Sequence, residues 1–192
     1  DKGLETAPMQ VLAGPKDGWF GWDAAGAGDI NGDGSPDIIV GAPYVSSDTF
    51  SRRGAVYAYY GSPKGFVAAP EYVEVPEDAI TGWFGWDVSP AGDVNRDGFA
   101  DFLVLSGAPG GKEGPSGQAF LYLGSQDGVS PMIVRLPAGK AVSIGFDDIP
   151  GTIGGGDFNG DGYDDVVLGD WARYDRDWDT GALRPGSLAV FN

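Results

Sequence analysis

Three nine-residue runs each place aspartates at positions 1, 5 and 9, nine in all, and the third adds Asp164 at position 8. They are Asp29-Ile-Asn-Gly-Asp-Gly-Ser-Pro-Asp37, Asp93-Val-Asn-Arg-Asp-Gly-Phe-Ala-Asp101 and Asp157-Phe-Asn-Gly-Asp-Gly-Tyr-Asp-Asp165. In each run side-chain oxygens stand at positions 1, 3, 5 and 9. A glycine at position 6 permits a sharp turn, and the carbonyl at position 7 can face inward. Five hard oxygen donors around one cavity suit Ca²⁺, whereas Mg²⁺ takes fewer protein ligands and more water. The pattern predicts three Ca²⁺ sites: Asp29, Asn31, Asp33, the Ser35 carbonyl and Asp37; Asp93, Asn95, Asp97, the Phe99 carbonyl and Asp101; Asp157, Asn159, Asp161, the Tyr163 carbonyl and Asp165. Three carboxylates brought to about 4 Å repel by about 4 kcal/mol per pair at an effective dielectric near 20. Without a cation such a loop is expected to splay open or take up protons; with one it cross-links the strands on either side.

Two other readings compete. An EF-hand loop needs a bidentate Glu at position 12 and a following helix, but position 12 here is Val40, Val104 and Leu168, inside apolar runs. The plainer alternative is a metal-free Asx turn, since Asp, Asn and Gly all favour turns. Three copies with one acid placement weigh against it.

The elements that position these loops repeat as well. The first aspartates of the three runs lie 64 residues apart, and each run leads into an apolar stretch: Ile38–Val40, Phe102–Val104 and Val166–Leu168. The first two stretches continue to Gly41-Ala-Pro43 and Gly107-Ala-Pro109, the third to Gly169-Asp170. Two loops are preceded by near-identical openings, Gly18-Trp-Phe-Gly-Trp-Asp23 and Gly82-Trp-Phe-Gly-Trp-Asp87; the third opening, Ile144-Gly-Phe-Asp147, is degenerate. Ala55–Tyr60, Ala119–Leu123 and Ser187–Phe191 read as third strands, and Tyr72–Val75 and Met132–Arg135 as half-polar outer strands. No stretch sustains a helical period. Four short strands in each unit predict an all-β chain of β-propeller blades, each of four antiparallel strands. The blades run over about 18–76, 82–136 and 142–192 within one segment, 1–192. Lys2-Gly-Leu4 and Ala7-Pro8 match Lys64-Gly-Phe66 and Ala69-Pro70, so 7–13 is the expected fourth strand of blade three. Three blades are fewer than propellers typically have. The chain, which starts at Asp1, is therefore expected to be a processed or excised segment, a partial propeller that other chains or further blades complete as a ring or array.

The succession Phe-Gly, Asp-x-Asn-x-Asp-Gly-x-x-Asp, Gly-Ala-Pro resembles the FG-GAP repeat of integrin α-subunit β-propellers and their bacterial relatives, over essentially the whole chain. The resemblance implies blades with a Ca²⁺ loop between first and second strands, an extracellular or cell-surface setting, and adhesion or ligand binding. Unit three departs from it, with Ile144-Gly145 for Phe-Gly and Gly169-Asp-Trp171 for Gly-Ala-Pro.

In an up-and-down blade the metal loops share one face with the 3–4 loops, and the 2–3 loops lie on the other. The 2–3 loops are 44–53, 110–117 and 171–185, and the last alternates aromatics with cations: Trp171, Arg173, Tyr174, Arg176 and Trp178. These types are enriched in binding hot spots, which makes them the candidate contacts for a protein or glycan ligand. Trp19, Phe20, Trp22, Trp83, Phe84 and Trp86 recur in register and are expected to pack between blades, while Arg52-Arg53 is expected to stay solvated. With 23 Asp, 5 Glu and 12 Lys plus Arg the formal charge is −16, which excludes a nucleic-acid-tracking surface. The chain has no Cys and no His, so disulfides, thiolate or imidazole metal sites, a His base and a Cys nucleophile are all excluded. No apolar run approaches the ~20 residues of a membrane helix. Adjacent surface acids such as Asp147 and Asp148 imply no catalytic pocket, so the chain is not expected to be an enzyme. The functions left are a Ca²⁺-stabilised binding or adhesion module, secreted or at the cell surface, or an architectural subunit exchanging strands head to tail into a ring or filament.

Overall fold

The computed structural model describes residues 8–47, 51–67, 69–77, 79, 82–107, 118–136, 152–170 and 187–192. Among these residues every regular element is a strand. In unit one β1 (Ala24–Gly28), β2 (Asp37–Gly41), β3 (Val56–Tyr59) and β4 (Glu71–Val73) form an antiparallel sheet in chain order. Unit two repeats the order with β5 (Phe84–Gly92), β6 (Asp101–Ser106), β7 (Gln118–Ser125) and β8 (Gly128–Leu136). Unit three contributes β9 (Thr152–Gly156), β10 (Asp165–Asp170) and β11 (Ser187–Phe191), with β10 in the middle. The chain is all-β, and its sheets are those of a partial propeller.

The middle strands are covered on both faces, which is why they read as continuous apolar runs instead of alternating ones. All six residues of β6 are buried, from Asp101 to Ser106. Between sheets one and two lies a core of Ile39, Val56, Val73, Phe84, Phe102, Phe120 and Tyr122, with Phe102 and Tyr122 stacked 5.2 Å apart. A second core joins sheets two and three through Leu103, Leu105, Leu121, Val166 and Leu168. The units are thus held together by side chains from facing sheets, each burying apolar area worth about 25 cal/mol per Å².

Close backbone approach explains the recurring glycines. A Cβ at Gly41, which opens Gly-Ala-Pro, would lie 2.2 Å from the Gly85 carbonyl oxygen; Gly85 closes the next unit's Phe-Gly. The two motifs of neighbouring units face each other, and no side chain fits between them.

The outer strand of unit two is longer than the sequence predicts. The hairpin β7–β8 turns on Gln126 and Asp127, with Ser125 paired to Gly128, and beyond a register shift between Tyr122 and Gly124 the pairing runs on to Ala119 and Leu136. The link between β3 and β4 spans 60–70 instead. Residues 8–13 lie outside every sheet. Gln10 is held by unit one: its Nε2 donates to the Phe66 carbonyl at 3.0 Å, and the Phe66 N–H donates to its Oε1 at 2.8 Å. One amide side chain meets both backbone polar groups of a single residue there, in the 3–4 link of unit one.

Candidate metal centres and the opposite face

Each aspartate run forms the link between the first and second strands of its sheet, 29–36, 93–100 and 157–164. Loops one and two are entered through a register shift in the strand pair, between Gly26 and Gly28 and between Pro90 and Gly92. The turn itself needs left-handed backbone at position 6, where φ is 87° at Gly34, 91° at Gly98 and 88° at Gly162. Position 4 is left-handed too, and in loop two it is occupied by Arg96 at φ 58°.

The carboxylates hold the loops closed through backbone N–H groups. In loop one Asp29 Oδ1 accepts from Asp33 N–H at 3.0 Å and Oδ2 from Gly34 N–H at 2.8 Å, while Asp33 Oδ1 accepts from Ser35 N–H at 2.8 Å. Loops two and three repeat these bonds, with Asp93 and Asp157 at position 1 and Asp97 and Asp161 at position 5. Position 9 is the deepest: Asp37, Asp101 and Asp165 are all but fully buried. Asp37 takes the Ile30 N–H on Oδ2 and the Gly61 N–H on Oδ1, both at 2.8 Å. Asp101 does the same with Val94 and Gly124, at 2.9 Å each. Each of these two aspartates ties its own loop to the end of the third strand. In loop three Asp165 takes the Phe158 N–H at 2.9 Å, and Asn159 Nδ2 reaches its second oxygen at 3.4 Å.

Loops one and two are closed, then, where mutual repulsion alone predicts splaying; directed N–H donors offset it. The repulsion still registers. Burial pushes the Asp101 carboxyl up to about 6, with Asp97 and Asp93 adding to the rise and the Gly124 and Val94 N–H groups opposing it. Asp37 is raised likewise, by burial first, and the Asp29 and Asp33 charges add to it. The acids of one loop therefore sense one another, and among the described residues no Lys or Arg pairs with them.

The donor chemistry suits a hard divalent cation: three acids, one amide oxygen and a carbonyl per loop. A carboxylate oxygen accepting one N–H keeps a further lone pair. In the present arrangement, however, no three acidic side chains among the described residues gather in metal-binding geometry.

The loops also touch across units, which the donor pattern does not announce. The Ala100 N–H donates to the Asp29 carbonyl at 2.9 Å, and the Asp164 N–H to the Asp93 carbonyl at 3.4 Å. Asp164 also accepts the Asp93 N–H on Oδ2 at 2.8 Å. The Arg96 guanidinium lies 5.0 Å from the centre of the Tyr163 ring.

At the other ends of β1 and β5 the two aromatic openings meet. Trp19 stacks on Trp22 at 5.2 Å and on Tyr44 at 3.6 Å; Tyr44 stacks on Trp83 at 5.2 Å and Trp83 on Trp86 at 4.9 Å. Trp22 and Trp86 close the circle at 4.7 Å. The contacts of Tyr44 with Trp83 and of Trp22 with Trp86 cross between units, the second of them as the repeated positions predict. Even so, Trp19 is 49% exposed and Trp22 46%. Both Trp19 (φ 55°) and Trp83 (φ 54°) sit in left-handed backbone, which costs an L-residue roughly 1–2 kcal/mol. Tyr44 has no counterpart in the repeat, and no pattern in the sequence singles it out.

Arg53, half-buried, corrects the expectation that both arginines stay solvated. Arg52, though exposed, lies 5.1 Å from the centre of the Tyr44 ring, where ring and cation attract. Arg53 donates to the Val75 carbonyl at 3.1 Å. The aromatic–cation run Trp171, Arg173, Tyr174, Arg176 and Trp178 lies outside the described residues, as do Ile144–Asp147 and the loop 110–117.

Four-stranded antiparallel sheets in chain order, with an acidic turn between the first two strands, define the class as a β-propeller built of repeats. Residues 20–59 match the family model described as FG-GAP repeat. Mouse integrin alpha-IIb is 31% identical over 174 residues, covering 84% of this chain and 16% of the relative. Human integrin alpha-7 is 33% identical over 184 residues, 90% of this chain and 14% of the relative. The rat integrin alpha-7 alignment reaches 195 positions at 33% identity, 95% of this chain and 15% of that one. The chain is a member of the FG-GAP repeat proteins and is similar to integrin α-chains, of whose length it spans about one seventh.

Proposed function

We propose that this chain is a Ca²⁺-stabilised β-propeller module that serves adhesion or ligand binding outside the cell or at its surface, without enzymatic activity. One observation carries the reading. Three loops at equivalent places in three sheets repeat the same oxygen donors and the same bonds from positions 1 and 5 to the backbone. Asp29, Asn31, Asp33, the Ser35 carbonyl and Asp37 hold the first ion, and the corresponding residues of loops two and three hold the others. Position 5 is exposed in every loop, and its Oδ2, which accepts from the Nδ2 of the position-3 Asn, would exchange that donor for the ion in Asp33, Asp97 and Asp161. The bound ion acts on structure, pinning the first strand of each sheet to the second.

The test is thermal unfolding in Ca²⁺ and in EDTA. An ion present at a hundred times its dissociation constant stabilises by about 2.7 kcal/mol per site, so chelation is expected to lower the Tm by several degrees. Coincident melts in the two buffers overturn the reading. The ligand, protein or glycan, meets the face away from the metal loops, with Trp171, Arg173, Tyr174, Arg176 and Trp178 as contacts. Retention of binding after substitution of Trp171 and Trp178 removes that assignment.

A second reading, head-to-tail assembly by strand exchange into a ring or filament, has one observation in its favour. β11 is the outer strand of its three-stranded sheet, and its Leu188 and Val190 are 59% and 55% exposed. Such an edge invites a further strand. Light scattering decides: a monomer at all concentrations excludes assembly.

A further inference from the structure

The geometry points to a positive coupling between neighbouring metal loops, in which ion binding in one loop strengthens binding in the other through a single peptide group. The inference rests on the calcium reading above and goes beyond it.

The peptide in question joins positions 7 and 8. In loop two it supplies the Phe99 carbonyl, the backbone donor expected at position 7, and the Ala100 N–H. That N–H donates to the carbonyl of Asp29, position 1 of loop one, at 2.9 Å. In loop three the same peptide joins Tyr163 to Asp164, and its N–H reaches the carbonyl of Asp93. Among the described residues no peptide bond is cis. In a planar trans peptide the C=O points opposite to the N–H, so anchoring the N–H on the preceding loop aims the carbonyl away from that loop.

The sign of the coupling follows. A cation on the position-7 oxygen draws electron density from the peptide and makes its N–H a stronger donor. An N–H already bonded makes its carbonyl a stronger acceptor, since linked hydrogen bonds polarise one another. Fixing Asp29 on an ion in loop one steadies the acceptor on which loop two's peptide rests. Linkage makes the effect reciprocal: each ion raises the affinity of its neighbour by the same factor.

Side-chain contacts follow the same path. Position 4 of each loop meets position 7 of the next, Gly32 against the Phe99 ring and Arg96 against the Tyr163 ring.

The path has a beginning. Position 8 of loop one is Pro36, which has no N–H to offer. Loop one can anchor loop two but cannot itself be anchored in this way. It also shows that position 8 of this turn accepts a proline.

Ala100→Pro therefore tests the coupling directly, because it cuts the link between loops one and two and leaves every proposed ligand in place. The probe is Ca²⁺ alone, titrated into the full 192-residue chain by calorimetry. The parent chain is expected to load three ions with a Hill coefficient above 1. In Ala100→Pro one ion should bind independently of the other two, and the affinity of loop two should fall about three- to tenfold, the worth of one ordinary hydrogen bond. Asp33→Asn supplies a second route if the proline variant does not fold. Impairing loop one in the parent should weaken loop two, read from the Ca²⁺-dependent shift of the Ala100 amide proton. Parent sites that load independently, or an Ala100 amide indifferent to Asp33→Asn, overturn the coupling and leave the calcium reading intact. Absence of any saturable Ca²⁺ binding overturns both.

Discussion

The two ends of the sheets are built on different principles. At the loop end, order comes from backbone groups. Carboxylates at fixed positions collect N–H donors, and the pattern recurs in three units with nearly the same distances. At the other end, order comes from side chains. Five aromatic rings from two units stack in a circle, and Tyr44 belongs to only one of them. The difference teaches where a repeat tolerates change. A turn held by its own backbone needs one residue type at each critical position, so it is copied faithfully. A stacked aromatic surface needs only area and shape, so it can vary from unit to unit and take on a partner of its own.

Substitutions at the two ends should therefore separate stability, metal binding and surface chemistry. The largest effect is expected at Asp101. Replacing it with Ala strands the buried Val94 and Gly124 N–H groups, each worth about 1–3 kcal/mol when left unsatisfied. Urea unfolding in EDTA should show the full loss, whereas Asp97→Ala, at an exposed position of the same loop, should cost clearly less under those conditions and still weaken Ca²⁺ binding. Equal losses for the two variants would refute the ranking. A smaller effect is expected from Gly98→Ala. No atom stands within 4 Å of the added methyl, so the penalty is conformational, at φ 91°, and roughly 1–2 kcal/mol. It should appear both as a lower Tm and as weaker Ca²⁺ binding at one of three sites. The smallest belongs to the opposite end. Trp22→Ala loses ring contacts worth about 0.5–1.5 kcal/mol and should weaken the near-ultraviolet circular dichroism of the coupled indoles. It should leave the midpoint of the Ca²⁺ titration where it was; a displaced midpoint would show that the two ends are not independent.

Much of the fold was legible because blades are local structures. Apolar runs of β-formers bounded by glycine mark Val56–Tyr59 and Ser187–Phe191 as strands, and the repeat places an acidic turn before each middle strand. The donor pattern was legible because Asp and Gly at fixed offsets have few other uses in a turn. Less visible was the strength of the hairpin β7–β8, since Gln126-Asp127-Gly128 is an ordinary turn sequence and only the pairing register lengthens both strands. The roles of Arg52 and Arg53 were hidden for another reason: their partners, Tyr44 and Val75, are set by how the chain folds back and not by spacing.

From residue order alone came a threefold repeat of strands, the place of the acidic turns, and the exclusion of chemistries that need imidazole or thiol. These follow from local rules of period, turn conformation and donor type, which act over a few neighbouring residues. Only the folded molecule decided that position 9 is buried, that neighbouring turns bond through the Ala100 and Asp164 amides, and that Gln10 binds the backbone of Phe66. Each of those depends on two distant stretches of chain arriving at the same point, and that meeting is set by packing between sheets.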